Sequence, residues 1–169
     1  NIAGFLEPLR EALVAGDDAI YIGMSGGISG TAHAASLAVE ELKEEFPERK
    51  VASIDTYAAS LGEGLLVVEA ARMLENGASF DEIVEKISQR RHVMCQYFTV
   101  DDLAYLERGG RVSKAAAIVG TVLKIKPLLR GDEEGKIVLC GKTRGRKQSL
   151  ASLADFYEKL VADKTEEIG

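Results

Sequence analysis

A chain of 169 residues, 46% apolar and 28% charged, has the balance of a globular protein with a real core, in one domain or two small lobes. Its net charge of −6 excludes a dedicated nucleic-acid binder, whose phosphate contacts need a basic surface. No apolar run nears the roughly 18 residues that would span a bilayer, so no integral membrane segment is expected.

The chain opens on Asn1 without a charged and apolar leader, which predicts a cytoplasmic rather than a secreted protein. It ends without a closing structural signal, so a piece of a longer protein is expected. Cys95 and Cys140 form no C-x-x-C pair and are expected as reduced thiols on half-buried strands. With His33 and His92 they make no familiar zinc spacing, so no metal is expected.

In chain order, Ile2 to Val14 reads as a short amphipathic helix, and Ala19 to Met24 as a buried strand. A Gly/Ser loop, Ser25 to Gly30, leads into a helix over Thr31–Glu45 with a small inner face of Ala35, Ala38 and Leu42. Val51 to Ile54 is the next strand, closing on Asp55. A helix over Gly62–Glu75 is predicted to bury Leu66, Ala70, Met73 and Leu74 and to stop at Asn76-Gly77. Ser79 and Glu82 form a capping box, and the helix they open carries Phe80, Ile83, Val84 and Ile87 at amphipathic spacing. This alternation predicts an α/β fold with a parallel sheet covered by helices.

After His92 the texture changes to a mixed α/β lobe. The pattern predicts a strand over Val93–Val100, a short helix over Asp101–Glu107 and a further helix over Ser113–Val122. Strands Ile125–Arg130 and Lys136–Lys142 flank Gly131-Asp132-Glu133-Glu134-Gly135 as a hairpin. A last helix from Lys147 to about Val161 is expected to turn Leu150, Leu153, Tyr157, Leu160 and Val161 inward.

The segment richest in chemistry is Gly23-Met24-Ser25-Gly26-Gly27-Ile28-Ser29-Gly30-Thr31, where a strand ends and a helix begins. In open α/β sheets ligands bind outside the carboxyl ends of the strands. Glycines let backbone N–H groups face outward, the helix N-terminus adds partial positive charge, and Ser25, Ser29 and Thr31 supply hydroxyls. Such a loop suits a phosphate or a carboxylate. Gly23-x-Ser25-x-Gly27 also matches the nucleophile elbow of serine hydrolases, with Ser25 as nucleophile. That elbow turns directly into its helix, whereas Ile28-Ser29-Gly30 intervene here, and His33 sits too close along the following helix to act as base. The lysine of a P-loop and the G-x-G-x-x-G of a dinucleotide site are absent, and a Gly-rich turn without a ligand is the plain alternative.

Two further segments carry charge. Phe98 to Lys114 contains Gly109-Gly110-Arg111, either a capped helix with a Gly-Gly turn and a solvated arginine or a cation free to approach an anion. Lys142, Arg144, Arg146 and Lys147 concentrate positive charge on an acidic protein, as a solvated face or a docking patch for an acidic partner.

Taken together, these segments resemble the DegV family. The shared features are Ser29-Gly30-Thr31 before a helix and the stretch from Asp55-Thr56 through Ser60-Leu61-Gly62-Glu63-Gly64-Leu65-Leu66. Asp101-Asp102-Leu103-Ala104-Tyr105-Leu106-Glu107-Arg108-Gly109-Gly110-Arg111, Lys126-Pro127-Leu128-Leu129 and Arg144-Gly145-Arg146-Lys147 complete a collinear set. The resemblance implies a two-lobed α/β fold holding one long-chain fatty acid, with residues 1–92 in the first lobe and 93–169 in the second, both incomplete because the family is longer at each end. It implies no cofactor beyond the lipid and no catalysis on this chain, since several family members are binding subunits of a fatty-acid kinase. By the same resemblance, Ser25, Gly26, Gly27, Ser29 and Arg111 are candidates for the fatty-acid carboxylate, and Arg144, Arg146 and Lys147 for docking the kinase. Gly26, where the family often has a second serine, and Ala32-His33-Ala34, where it often has Tyr-Gln-Ser, are departures close to that headgroup site.

Overall fold

The computed structural model describes residues 1–113 and 125–161. Two compact units divide the chain: Asn1–Met94 together with Glu133–Gly135, and Cys95–Asp132 together with Lys136–Gly169.

The first unit runs α1 (Ala3–Ala15), β1 (Ala19–Gly23), α2 (Thr31–Glu45), β2 (Val51–Asp55), α3 (Leu61–Glu75) and α4 (Phe80–Arg90). β1 and β2 pair in parallel from Ala19↔Val51 to Gly23↔Asp55. Alternating strand side chains serve two helical layers. Ile54, with Ile20 and Ile22, packs on Leu66, Ala70, Ile83 and Ile87 of α3 and α4. Val51, with Ala19, packs on Leu13, Val39 and Leu42 of α1 and α2. Ala35 and Ala38 of α2 are fully buried, as their small size at helical spacing predicts. Both halves of the capping box form: Ser79 Oγ accepts the Glu82 N–H, and Glu82 accepts from Ser79 N at 2.8 Å. One expectation fails on α3. Leu74 is 67% exposed, turned about 100° around the helix from Met73, which does pack on the core.

The second unit contains β3 (Tyr97–Phe98), α5 (Ala104–Arg108), β4 (Ile125–Gly131), β5 (Ile137–Arg144) and α6 (Arg146–Leu160). Its sheet is antiparallel in the order β3-β4-β5. The expected hairpin is present, with a bulge at Cys140: Leu128 pairs with Gly141 while Leu129 pairs with Leu139. The strand expected over Val93–Val100 contracts to Tyr97–Phe98. Pro127 has no N–H with which to extend that ladder, and its carbonyl instead accepts the Thr99 hydroxyl at 2.7 Å. Leu103 and Leu129 form the buried centre, with Phe98, Val100, Leu106 and Ile137 around them. On α6, Ser149 is fully buried while Leu150 and Leu160 are 49% and 44% exposed, which corrects their expected inward placement. Phe156 takes part of that role by stacking on Tyr97 at 4.4 Å between centroids. Cys95 and Cys140 are free and exposed; Cys140 lies on the half-buried strand β5, whereas Cys95 precedes β3 and lies on no strand. The helix expected over Ser113–Val122 falls, beyond Ser113, outside the described residues. Among the described residues no helix is long and apolar enough to cross a membrane.

Candidate functional site

β1 and β2 end side by side at Gly23 and Asp55, and both strands leave the sheet into short polar loops. Main-chain and hydroxyl bonds knit those loops together. The Thr56 N–H and Oγ1 both donate to the Gly23 carbonyl, at 3.1 and 2.8 Å, and the Ser25 N–H donates to the Ala58 carbonyl at 2.8 Å. Thr56 and Ser25 are fully buried, so the carboxyl edge of the parallel pair is a solid polar layer.

Ser25 sits at the centre of that layer. Its hydroxyl donates to the Gly135 carbonyl at 2.8 Å and accepts the Gly27 N–H at 3.1 Å. Its own carbonyl accepts from Ile28 N and Ser29 N. Gly135 has φ +71, and a Cβ there would come within 2.0 Å of Ser25 Oγ and 3.0 Å of Tyr57 Cα. Only a residue without a side chain lets that carbonyl approach so closely.

The Gly26 amide has already found an anion. Its N–H donates to Asp55 Oδ2 at 3.0 Å, and the Tyr57 N–H donates to Asp55 Oδ1 at 3.0 Å. A Cβ on Gly26 would lie 2.6 Å from Asp55 Oδ2, so a larger residue there would require the Asp55 carboxylate to shift. Ser29 and Thr31 follow at the start of α2, with their hydroxyls 2.7 Å apart and Thr31 N–H on Ser29 Oγ at 3.3 Å. Two hydroxyls sharing one bond leave one proton to donate outward, and Thr31 is exposed.

Beyond Asp55 the backbone is unusual. Tyr57 and Ser60 are non-glycine residues at φ 54 and 53. Left-handed backbone at such residues costs free energy and persists where neighbours over-determine it. Here Arg91 is one of those neighbours. Its Nη1 donates to the Asp55 carbonyl at 2.9 Å, and its guanidinium lies 4.6 Å from the Tyr57 ring centroid. His92 meets the same ring edge-on at 5.5 Å.

Of the residues singled out from sequence, Ser25, Gly26, Gly27 and Ser29 therefore share one loop at the strand ends. Arg111 belongs to the second unit, is exposed, and donates from its guanidinium to the Gly109 carbonyl, while its N–H caps α5 by bonding Leu106. Arg144 closes β5, and Arg146 and Lys147 open α6; all three are exposed. Asp101 faces this corner, 2.9 Å from Lys126 and 3.9 Å from Arg146. The hydrogen bond from Lys126, then the charges of Lys126 and Arg146, hold its carboxyl below the usual range. Sequence reasoning missed the parts played by Tyr57, Arg91 and Gly135. A signal existed for Asp55, a carboxylate ending a buried strand beside a glycine-rich loop.

The fold and this edge define an α/β protein with parallel strands whose carboxyl ends carry a glycine- and hydroxyl-rich loop. The family model described as "Uncharacterised protein, DegV family" matches residues 1–169, and the chain belongs to the DegV family. A DegV domain-containing protein of Clostridium perfringens is 40% identical over 167 residues, covering 99% of this chain and 57% of that protein. A DegV family protein from Eubacterium eligens, solved loaded with heptadecanoic acid, superposes with a TM-score of 0.84 at 27% identity, over 95% of this chain and 56% of that one. A fatty-acid-binding DegV family protein from Thermus thermophilus gives 0.79 at 34% identity, over 95% and 55%. The chain thus spans a little over half the length of these relatives.

Proposed function

We propose that this chain is part of a carrier that holds one long-chain fatty acid and orients its carboxylate at the Ser25–Thr31 loop. The observation that carries the proposal is the likeness, over 95% of the chain, to a family structure loaded with heptadecanoic acid. The strand-end geometry supports it independently. The Ser29–Thr31 pair offers a hydroxyl donor at the N-terminus of a 15-residue helix, where partial positive charge favours an anion. Ser25, Gly26 and Gly27 hold the loop in shape, since their donors are engaged with Gly135, Asp55 and Ser25. A tail of ~14 methylenes contributes roughly 11 kcal/mol gross on burial, much of it offset by ordering the chain. The headgroup then sets orientation rather than affinity, because a buried carboxylate must recover its lost hydration through donors.

Catalysis on this chain is not part of the proposal. Both hydrogen bonds of Ser25 Oγ go to main-chain groups, whereas a serine nucleophile needs a base at hydrogen-bond distance. The hydrolase alternative therefore lacks support. A second element of the proposal is presentation of the carboxylate to a fatty-acid kinase that docks on Arg144, Arg146 and Lys147. The observation favouring it is that two of these cations stand in the first turn of α6, where the helix macrodipole opposes positive charge and no acidic residue is present. The helix itself gives no reason for them there; Asp101 stands 3.9 Å from Arg146, and an acidic partner would complement the rest of the cluster.

Competition titration tests the carrier reading. Hexadecanoic acid should displace a fluorescent fatty-acid probe from the protein at one site per chain, and Ser29→Ala combined with Thr31→Val should weaken that displacement. Failure of hexadecanoic acid to displace the probe would end the proposal.

A further inference from the structure

The Ser25–Thr31 loop presents an electrostatic problem for any anionic ligand. It contains no lysine or arginine, and its Gly26 amide already holds the Asp55 carboxylate. A second carboxylate arriving there meets a like charge, which disfavours the ionised form or repels the ligand outright. A cation of the same unit is needed close by.

Arg91 has the position for it. It bonds the carbonyl of the very residue whose carboxylate occupies the loop, and it stacks on Tyr57, whose N–H binds that carboxylate's other oxygen. The adjacent Arg90 fills the ordinary role of a helix-end arginine, pairing with Glu69 of α3 at 3.4 Å. Arg91 does not: among the described residues no carboxylate oxygen comes within 4.0 Å of its guanidinium. Its remaining side-chain contact is a long 3.4 Å approach of Nε to His92 Nε2. A partly buried arginine stacked on an aromatic ring, anchored to a carbonyl and lacking an acidic partner is a fixed positive charge available to an incoming anion.

We propose that Arg91 is a specificity-determining residue, the cation that makes the strand-end loop select an anionic headgroup over a neutral one. The inference rests on the carrier reading above. Its charge offsets that of Asp55, and its anchors on Asp55 and Tyr57 keep it at the carboxyl edge of the strands while the tail alone provides bulk affinity.

The test compares hexadecanoic acid with 1-hexadecanol, two ligands of equal tail and different headgroup charge, by competition against a fluorescent lipid probe. The proteins are wild type, Arg91→Met and Arg91→Lys. Arg91→Met should weaken the acid on the order of tenfold and leave the alcohol unchanged, while Arg91→Lys keeps most of the preference. Unchanged alcohol binding also shows that the Met variant is folded. Equal losses for acid and alcohol would reduce Arg91 to a structural clamp and overturn the inference, as would no loss for either. A wild type that binds acid and alcohol equally would overturn it and leave lipid binding standing. A wild type that binds neither would overturn this inference and the carrier reading together.

Discussion

Replacing Gly135 with alanine is expected to destabilise the first unit by about 2–5 kcal/mol. Two costs make up that figure. An alanine at φ +71 occupies left-handed backbone, worth about 1–2 kcal/mol. Its methyl would also stand 2.0 Å from Ser25 Oγ, so the serine must move and the buried bond to the Gly135 carbonyl is lost, worth about 1–3 kcal/mol. Gly77→Ala separates the two, because Gly77 has φ +83 and a methyl there would meet nothing within 4 Å. It should show the backbone cost alone. Ser25→Ala removes the clashing oxygen in advance, so the double variant should cost less than the sum of the singles by about 1 kcal/mol. Urea denaturation of the four variants and wild type reads all of these terms. Equal effects at Gly135 and Gly77, or strict additivity of Ser25→Ala and Gly135→Ala, would refute the arrangement of this polar layer.

Asp101, whose carboxyl sits below the usual range in the folded protein, contributes stability that is complete above the ordinary carboxylate range and lost as pH falls through its lowered value. Asp101→Asn should therefore be less stable than wild type at neutral pH and converge with it in strong acid, and parallel urea titrations that show no convergence would contradict the ion pairs. Arg111→Ala should reduce formation of acyl phosphate or the bound lipid content in a reconstituted kinase assay, and normal values of both would return Arg111 to a solvated turn. Arg144→Ala combined with Arg146→Ala should slow kinase-dependent phosphorylation of the bound fatty acid without changing lipid content, and the wild-type rate should fall as salt rises. Equal rates for both proteins at low salt would leave those arginines without a docking role.

What could be read from sequence, and what could not, follows from the range of the interactions involved. The Ser79–Glu82 capping box spans three residues and is visible in the letters, as are the Gly-bounded hairpin turn and the small inner face of α2. The position of the Ser25–Thr31 loop at a strand end was legible for the same reason. The partner of Ser25 was not, because Gly135 is 110 residues away and nothing local marks its carbonyl. The Asp55 carboxylate on the Gly26 amide, 29 residues apart, depends on the parallel register that sets Gly23 against Asp55. Periodicity also overreached near helix ends. Leu74 and Leu160 fit an apolar stripe yet are exposed in the last turns of their helices, and Leu150 is exposed because the neighbouring Ser149 takes the buried position. Residues 99–100 have strand-like composition, but the register sets Pro127, which has no N–H, opposite Val100 and stops β3 at that end.

The central claim is that the protein carries a fatty acid, and mass spectrometry of an organic extract of the purified protein tests it most directly. A carrier whose tail is buried should retain its ligand through purification, so the extract should contain free long-chain fatty acid at about one molecule per chain. Wild-type protein that releases no fatty acid, and takes up none after incubation with hexadecanoic acid, would contradict the account.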